Sequence, residues 1–306
     1  MRMKWTAVST LVAALAVAWA ASIQGQAPAA PPAARQAPAA PRPAAAPAAR
    51  PAAGARTDDG RPNLNGIWQA VNTANWDIEA HPAGPAPHPE VMGAYAAQPG
   101  GQSIVEGGTL PYKPEALKKK QENFEKRLTP KITNDPHRFD QGDPEIMCFR
   151  PGVPRANYMP YPFQIFQTPE QILIVYEFKG AVRTIYMNPH MDAPGESWMG
   201  WSNGHWEGET LVVEATDFND HTWLDRAGNY HSDALKVTER YTPVSPHHLM
   251  YEATIDDSKV FTRPWKMTFP LYRRMEQNVQ LVEFNCVPFV EELLYTPLGL
   301  YKSQKK

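Results

Sequence analysis

Neither sign of charge dominates this 306-residue chain: 30 Lys and Arg stand against 32 Asp and Glu, for a formal net charge of -2. Without a basic stripe to neutralise phosphates, nucleic acid is excluded as an expected partner. His-Glu-x-x-His, Gly-x-Ser-x-Gly, a phosphate loop and a dinucleotide fingerprint are all missing. Their absence argues against zinc-protease, hydrolase, kinase and dehydrogenase folds. The nine His are scattered without ligand spacing, and only His190-Met191-Asp192 could offer two ligands from one loop. No metal and no cofactor are expected.

Long apolar runs are missing too. The longest, Thr6 to Ala18, falls short of the ~20 residues a spanning helix needs. It follows Arg2 and Lys4 and precedes small-residue sites at Ala18-Trp19-Ala20 and Gly25-Gln26-Ala27, which is secretory signal organisation. Residues 1–27 therefore read as a signal peptide, and 28–56, almost wholly Ala, Pro, Arg and Gln, as a disordered spacer that cannot bury apolar area. Residues 57–290 form the domain and 291–306 a tail. The expected location is periplasmic or secreted, with no stable membrane insertion after cleavage. The only two cysteines, Cys148 and Cys286, would then meet an oxidising compartment and have one possible intramolecular pairing, so a disulfide is expected.

What the chain has in quantity is aromatic side chains, with nine Trp and twelve Tyr, and short β-branched runs broken by turns. The runs are Phe163–Thr168, Gln171–Phe178, Ala181–Met187, Glu196–Trp201, Thr210–Thr216, Leu235–Thr242, His248–Ile255, Trp265–Leu271 and Val279–Asn285. With no helices between them they predict a mainly β fold, a single antiparallel β-barrel or a sandwich. Gly66-Ile67-Trp68 is similar to the opening of a lipocalin first strand, which makes the expected barrel lipocalin-like. One surface helix is predicted from Pro114 to Leu128, with Leu117, Phe124 and Leu128 on one face.

Alternation assigns side chains to faces. In the strand beginning at Leu235, Glu239 points the same way as Leu235, Val237 and Tyr241, hence inward. A buried carboxylate needs a partner, and Arg183 on the Ile185 side of its own strand could be one. The loop from Asp217 to His231 carries Asn219, Asp220 and Trp223, placing them at the mouth of a cavity. There His231 can exchange a proton near neutral pH, with Asp220 orienting it. The expected catalytic groups are thus His231, Glu239, Asp220 and Arg183.

Several stretches recur in an order that resembles a large family of secreted, uncharacterised bacterial proteins. They are Cys148 to Arg155, Arg183-Thr184-Ile185-Tyr186, Gly204-His205-Trp206-Glu207-Gly208-Glu209-Thr210-Leu211-Val212-Val213-Glu214, Phe218-Asn219-Asp220, His231-Ser232, Glu239-Arg240, Thr262-Arg263-Pro264-Trp265 and Cys286. The chain departs from the family pattern at His205 and Glu209, where Arg and Asp are usual, and at Asp217, where Gly is usual. The resemblance implies one fold from about Asp143 to Val287 and brings no activity with it. Asn219, Trp223, Tyr241 and Arg263 are the expected ligand contacts. The expected partner is an apolar or aromatic small molecule. It would be isomerised, hydrated or eliminated by an enzyme, or carried by a binding protein; a cell-envelope interaction protein is the third possibility.

Overall fold

The computed structural model describes residues 56–85, 97–127, 131–132 and 139–288. The stretches expected to be signal peptide and tail, and nearly all of the expected spacer, lie outside the described residues. Nine strands close into one barrel in the order β1 (Gly66–Ala70), β11 (Trp265–Arg273), β10 (His248–Asp256), β9 (Lys236–Ser245), β8 (Thr210–Thr216), β7 (Trp201–Glu207), β6 (Val182–Tyr186), β5 (Gln171–Tyr176) and β4 (Phe163–Gln167). Two short strands, β2 (Lys131–Ile132) and β3 (Phe139–Gln141), pair separately. The expected barrel is therefore present, with one α-helix among the described residues, α1 (Pro114–Lys126).

Strand direction cannot alternate all the way round a ring of odd number, so nine strands require a parallel contact. It lies between β6 and β7, where Ile185 faces Ser202 and Tyr186 faces Asn203. A parallel pair needs a crossover of a dozen or more residues, and the chain from Met187 to Gly200 supplies it. This is why the expected strand Glu196–Trp201 is displaced: Ser197 makes only an isolated bridge to Phe218, and β7 runs on from Trp201 to Glu207. Ring closure also explains the missing strand at Val279–Asn285. β1 pairs with both β4 and β11, so no edge is left for a tenth strand, and that stretch is irregular chain whose Val282 amide donates to Glu177 (3.0 Å).

The barrel interior is a packed core. Trp68, Phe163, Tyr176, Tyr241, Tyr251 and Trp265 point inward and are at most 2% exposed. One end is plugged by the stretch from Val153 to Met159, built around a turn of 3-10 helix at Arg155–Asn157. Tyr158 of this plug donates its hydroxyl to the Leu224 carbonyl (2.6 Å) and sets its ring edge-on to Phe269.

Helix α1 presents a different face from the one its apolar residues suggest. Ala116 and Asn123 are buried, whereas Leu117 and Phe124 stay more than 40% exposed; Leu128 lies outside the described residues. Close approach decides this. Gly228, at φ +84°, comes so near that a Cβ there would stand 2.7 Å from the Phe124 amide nitrogen and 2.8 Å from the Lys120 carbonyl. Only a face of small or flat side chains fits against such a contact, and Asn123 donates to the Gly228 carbonyl (3.2 Å). Phe124 instead lies under the Arg127 guanidinium, 4.0 Å from its ring centre.

Cys148 and Cys286 are bonded, with Cα atoms 5.7 Å apart and a sequence separation of 138. The bridge ties the turn before the plug to the chain beyond β11. Its removal by the Cys148→Ser/Cys286→Ser pair is expected to lower stability by about 2–4 kcal/mol through the freed unfolded state. Urea unfolding of both proteins checks this; superimposable curves would show that the bridge does not constrain the unfolded chain.

Candidate functional site

The inward alternation of β6 and β9 brings Arg183 and Glu239 together inside the barrel, at 3% and 0% exposure. Arg183 Nη1 donates to Glu239 Oε1 (3.1 Å), Nη2 donates to Oε2, and Nε donates to Ser202 Oγ (2.9 Å). Three more donors converge on Glu239 Oε1: Asn157 Nδ2 (3.0 Å), Tyr241 OH (3.0 Å) and Tyr251 OH (2.9 Å). Tyr176 donates in turn to Asn157 Oδ1 (2.9 Å). Burial pulls the Arg183 pKa down, but the facing Glu239 charge outweighs it and holds the guanidinium well above its ordinary value. Burial and the same carboxylate push Tyr241 and Tyr251 well above the usual phenol range. The network is an ion pair with its hydrogen-bonding capacity filled by the protein's own groups.

His231 is equally enclosed, at 2% exposure. Its Nδ1 lies 2.9 Å from the Ser232 carbonyl and its Nε2 2.5 Å from Thr222 Oγ1. A carbonyl can only accept, so Nδ1 carries a proton; in the neutral ring, the form its burial favours, Nε2 accepts from the hydroxyl. Burial lowers its pKa accordingly. Gly152, at φ +72°, packs on the same threonine so closely that a Cβ would meet Thr222 Oγ1 at 2.7 Å.

Other expected site residues are placed elsewhere. The Asp220 carboxylate is half exposed and pairs with His221 Nδ1 (3.1 Å), so it does not orient His231. The next residue but one explains this: the chain turns at Asn219, whose Oδ1 takes the His221 amide (3.3 Å), and carries His221 rather than His231 to the carboxylate. Trp223 is 8% exposed and bridges to Tyr230 within the loop, while Tyr241 belongs to the Glu239 network. Arg263 is exposed and donates to its neighbour's carbonyl on Pro264 (3.2 Å); it points away from the barrel interior because the inward positions of β11 begin at Trp265. Asp217 has φ +56°, the left-handed conformation glycine adopts without cost. Among the described residues no three His, Cys, Asp or Glu gather as metal ligands.

A second buried network escaped the sequence reading. Arg155, 1% exposed, donates through Nη1 and Nη2 to both Asp143 oxygens (2.9 and 3.0 Å), through Nη2 to Glu145 (2.7 Å) and through Nε to Asn75 (2.9 Å). Arg226 forks onto Glu145 from the other side (2.8 and 2.6 Å). Burial alone would raise Glu145, but Arg226 and then Arg155 bring it down to about 2. Nearby, Asp225 and Asp77 converge on one nitrogen of Asn229, at 2.6 and 3.3 Å. Burial and then the Asp77 charge push Asp225 up to about 7.

These shifts have opposite signs for stability. Asp225, raised from 3.8 to about 7, holds a proton that the unfolded chain releases, so its contribution is lost as pH rises from about 4 to about 7. Glu145, lowered from 4.5 to about 2, contributes fully above pH 4.5 and loses that contribution on acidification. His231, lowered from 6.5, likewise weakens the fold as pH falls below that value. Comparison with Asp225→Asn isolates the first effect. The wild-type melting temperature relative to this variant is expected to be highest at about pH 4 and to decline by several degrees toward pH 7; parallel profiles would show that Asp225 does not titrate there.

No family model matches the chain, and no curated protein or solved structure matches it.

Proposed function

We propose that the protein is an exported, non-catalytic barrel that binds an apolar or aromatic small molecule on the outside of its wall, along the crossover between β6 and β7. The observation that carries this reading is the contrast between interior and crossover. Inside, Glu239 and His231 have every polar atom engaged and lie at most 2% exposed, so neither offers a free atom to a substrate proton. Along the crossover, Tyr186 and Trp201 stack at 4.8 Å and 22°, partly exposed beside Met191, which is 42% exposed. A flat apolar ligand would extend that stack, and the exposed imidazole of His190 would meet its polar edge. The signal organisation of residues 1–27 and the Cys148–Cys286 bridge support export, as does the resemblance to the secreted family, whose Trp-Glu-Gly-[Asp/Glu]-Thr stretch turns from β7 into β8 here.

Native mass spectrometry on protein purified from its own compartment would identify a candidate ligand, and tryptophan fluorescence would follow its rebinding. Trp201→Ala is expected to abolish rebinding while leaving the melting temperature within a few degrees. Undiminished binding by that variant would sink the crossover site.

A further inference from the structure

The outward faces of the barrel strands differ in charge. β9 and β10 carry Lys236, Arg240 and Glu252 outward, as solvent favours. β4, β5 and β6 have one charged side chain between them, Arg183, and it points inward. Their outer wall is apolar instead: Phe166 stands opposite Leu173, and Val175 opposite Val182. Phe166 is 44% exposed and Val182 50%, with Leu173 and Val175 partly exposed between them. A contiguous apolar patch of this kind marks an interaction surface.

The charges that flank this wall sit at its two ends. Glu170 lies in the β4–β5 turn and Lys179 in the β5–β6 turn, and both are exposed. Neither takes part in an ion pair among the described residues. Glu177 shares the second turn, but its carboxylate is held by the Val282 amide (3.0 Å), so Lys179 is the charge available to a partner there. The wall thus ends in a negative side chain at one turn and a positive one at the other.

We infer that this wall is the contact between two copies of the chain, related by a two-fold axis that lies in the contact and crosses β5. Such an axis reverses β5, so Leu173 of each copy lies over Val175 of the other, and Glu170 of each meets Lys179 of the other. An apolar strip with opposite charges at its ends complements itself under this rotation, which is what an isologous interface requires. Packing with the two β5 strands parallel would set Glu170 on Glu170 and Lys179 on Lys179, and like charges disfavour that arrangement. β5 has six residues, so the wall is ~20 Å long, and three strands at ~4.8 Å spacing make it ~10 Å across. Each copy therefore contributes a few hundred Å², short of the roughly 800 Å² per partner of a standard interface, which places the dimer among weak, concentration-dependent complexes.

Sedimentation equilibrium on the full chain tests the inference, at micromolar to high submillimolar concentration, with Val182→Asp, Glu170→Lys, Lys179→Glu and the double reversal beside the native protein. The native chain is expected to dimerise reversibly, and Val182→Asp to weaken the dimer at least tenfold. Each single reversal sets like charges together and should weaken it several-fold, whereas the double reversal should restore it. Mixing the two single variants is the sharper measurement. In their mixed dimer the introduced charges face each other and the native Glu170 and Lys179 still pair, so the mixture should associate more strongly than either variant alone. Should Val182→Asp fail to fold, the reversals at the exposed turns carry the comparison. A native chain that stays monomeric at the highest concentration would overturn the inference. So would a dimer that Val182→Asp and the reversals leave unchanged, or a mixture that associates no better than its components.

Discussion

Glu239→Leu is expected to lose ~3–5 kcal/mol of stability, because it leaves the Arg183 guanidinium buried without its counter-charge. Arg183 is 3% exposed, and Ser202 Oγ, which takes its Nε, carries no charge to replace the carboxylate. The companion variant Arg183→Met should cost a similar amount by orphaning the carboxylate, while the double variant should recover much of the loss. Apolar side chains of similar volume need no partner, and replacing a whole buried pair is often close to neutral. A cycle of chemical unfolding measurements on the four proteins gives the coupling directly. Additive losses would mean that the two charges do not depend on one another. Glu239→Gln separates stability from chemistry: it keeps the shape but places an amide donor against Arg183, so a structural role predicts a lower melting temperature with ligand rebinding retained.

The barrel was legible because its strands alternate cleanly. Leu235, Val237, Glu239 and Tyr241 share one face in the sequence and one interior in the fold, and Arg183 follows from the same rule applied to β6. Period-two patterning fixes the face of a residue but not its partner around the ring. The parallel contact of β6 with β7 is a property of closing nine strands, which no local stretch displays. The Asp220 assignment failed for a local reason: neighbouring His221 lies closer along the chain than His231, and an Asx-type turn delivers it.

The Arg155 network was illegible on other grounds. Asn75, the pair Asp143 and Glu145, and Arg226 come from three separated stretches without strand or helix periodicity, and polar residues in such stretches read as solvated loop. The one available signal was Arg155 itself, standing in the Cys148 to Arg155 motif close after Gly152. An arginine that follows Pro151, Gly152 and Pro154 in a stretch opened by a cysteine could have been taken as enclosed. Its partners could not have been named.

Removal of that arginine is the most disruptive single change expected outside the barrel interior. Arg155→Met strips Asp143 of both guanidinium bonds, leaving the Glu145 amide (2.9 Å) as its donor, and leaves Glu145 to Arg226 and Asn75 alone. Asp143 is 2% exposed, so the expected cost is ~3–5 kcal/mol, that of a buried charge deprived of its partner. Arg155→Lys should recover little, because an ammonium cannot reproduce the fork that holds both Asp143 oxygens while reaching Glu145 and Asn75. Arg226→Met is expected to cost less, since the Arg226 side chain is 39% exposed and water can replace part of what it gives. The pH dependence tells charge from packing. An orphaned buried carboxylate takes up a proton more readily in the folded than in the unfolded chain, so the deficit of Arg155→Met should be larger at pH 7 than at pH 4. A deficit that is constant over this range would assign the loss to the missing side-chain volume, and the charges around Arg155 would then carry no share of the stability of the plug.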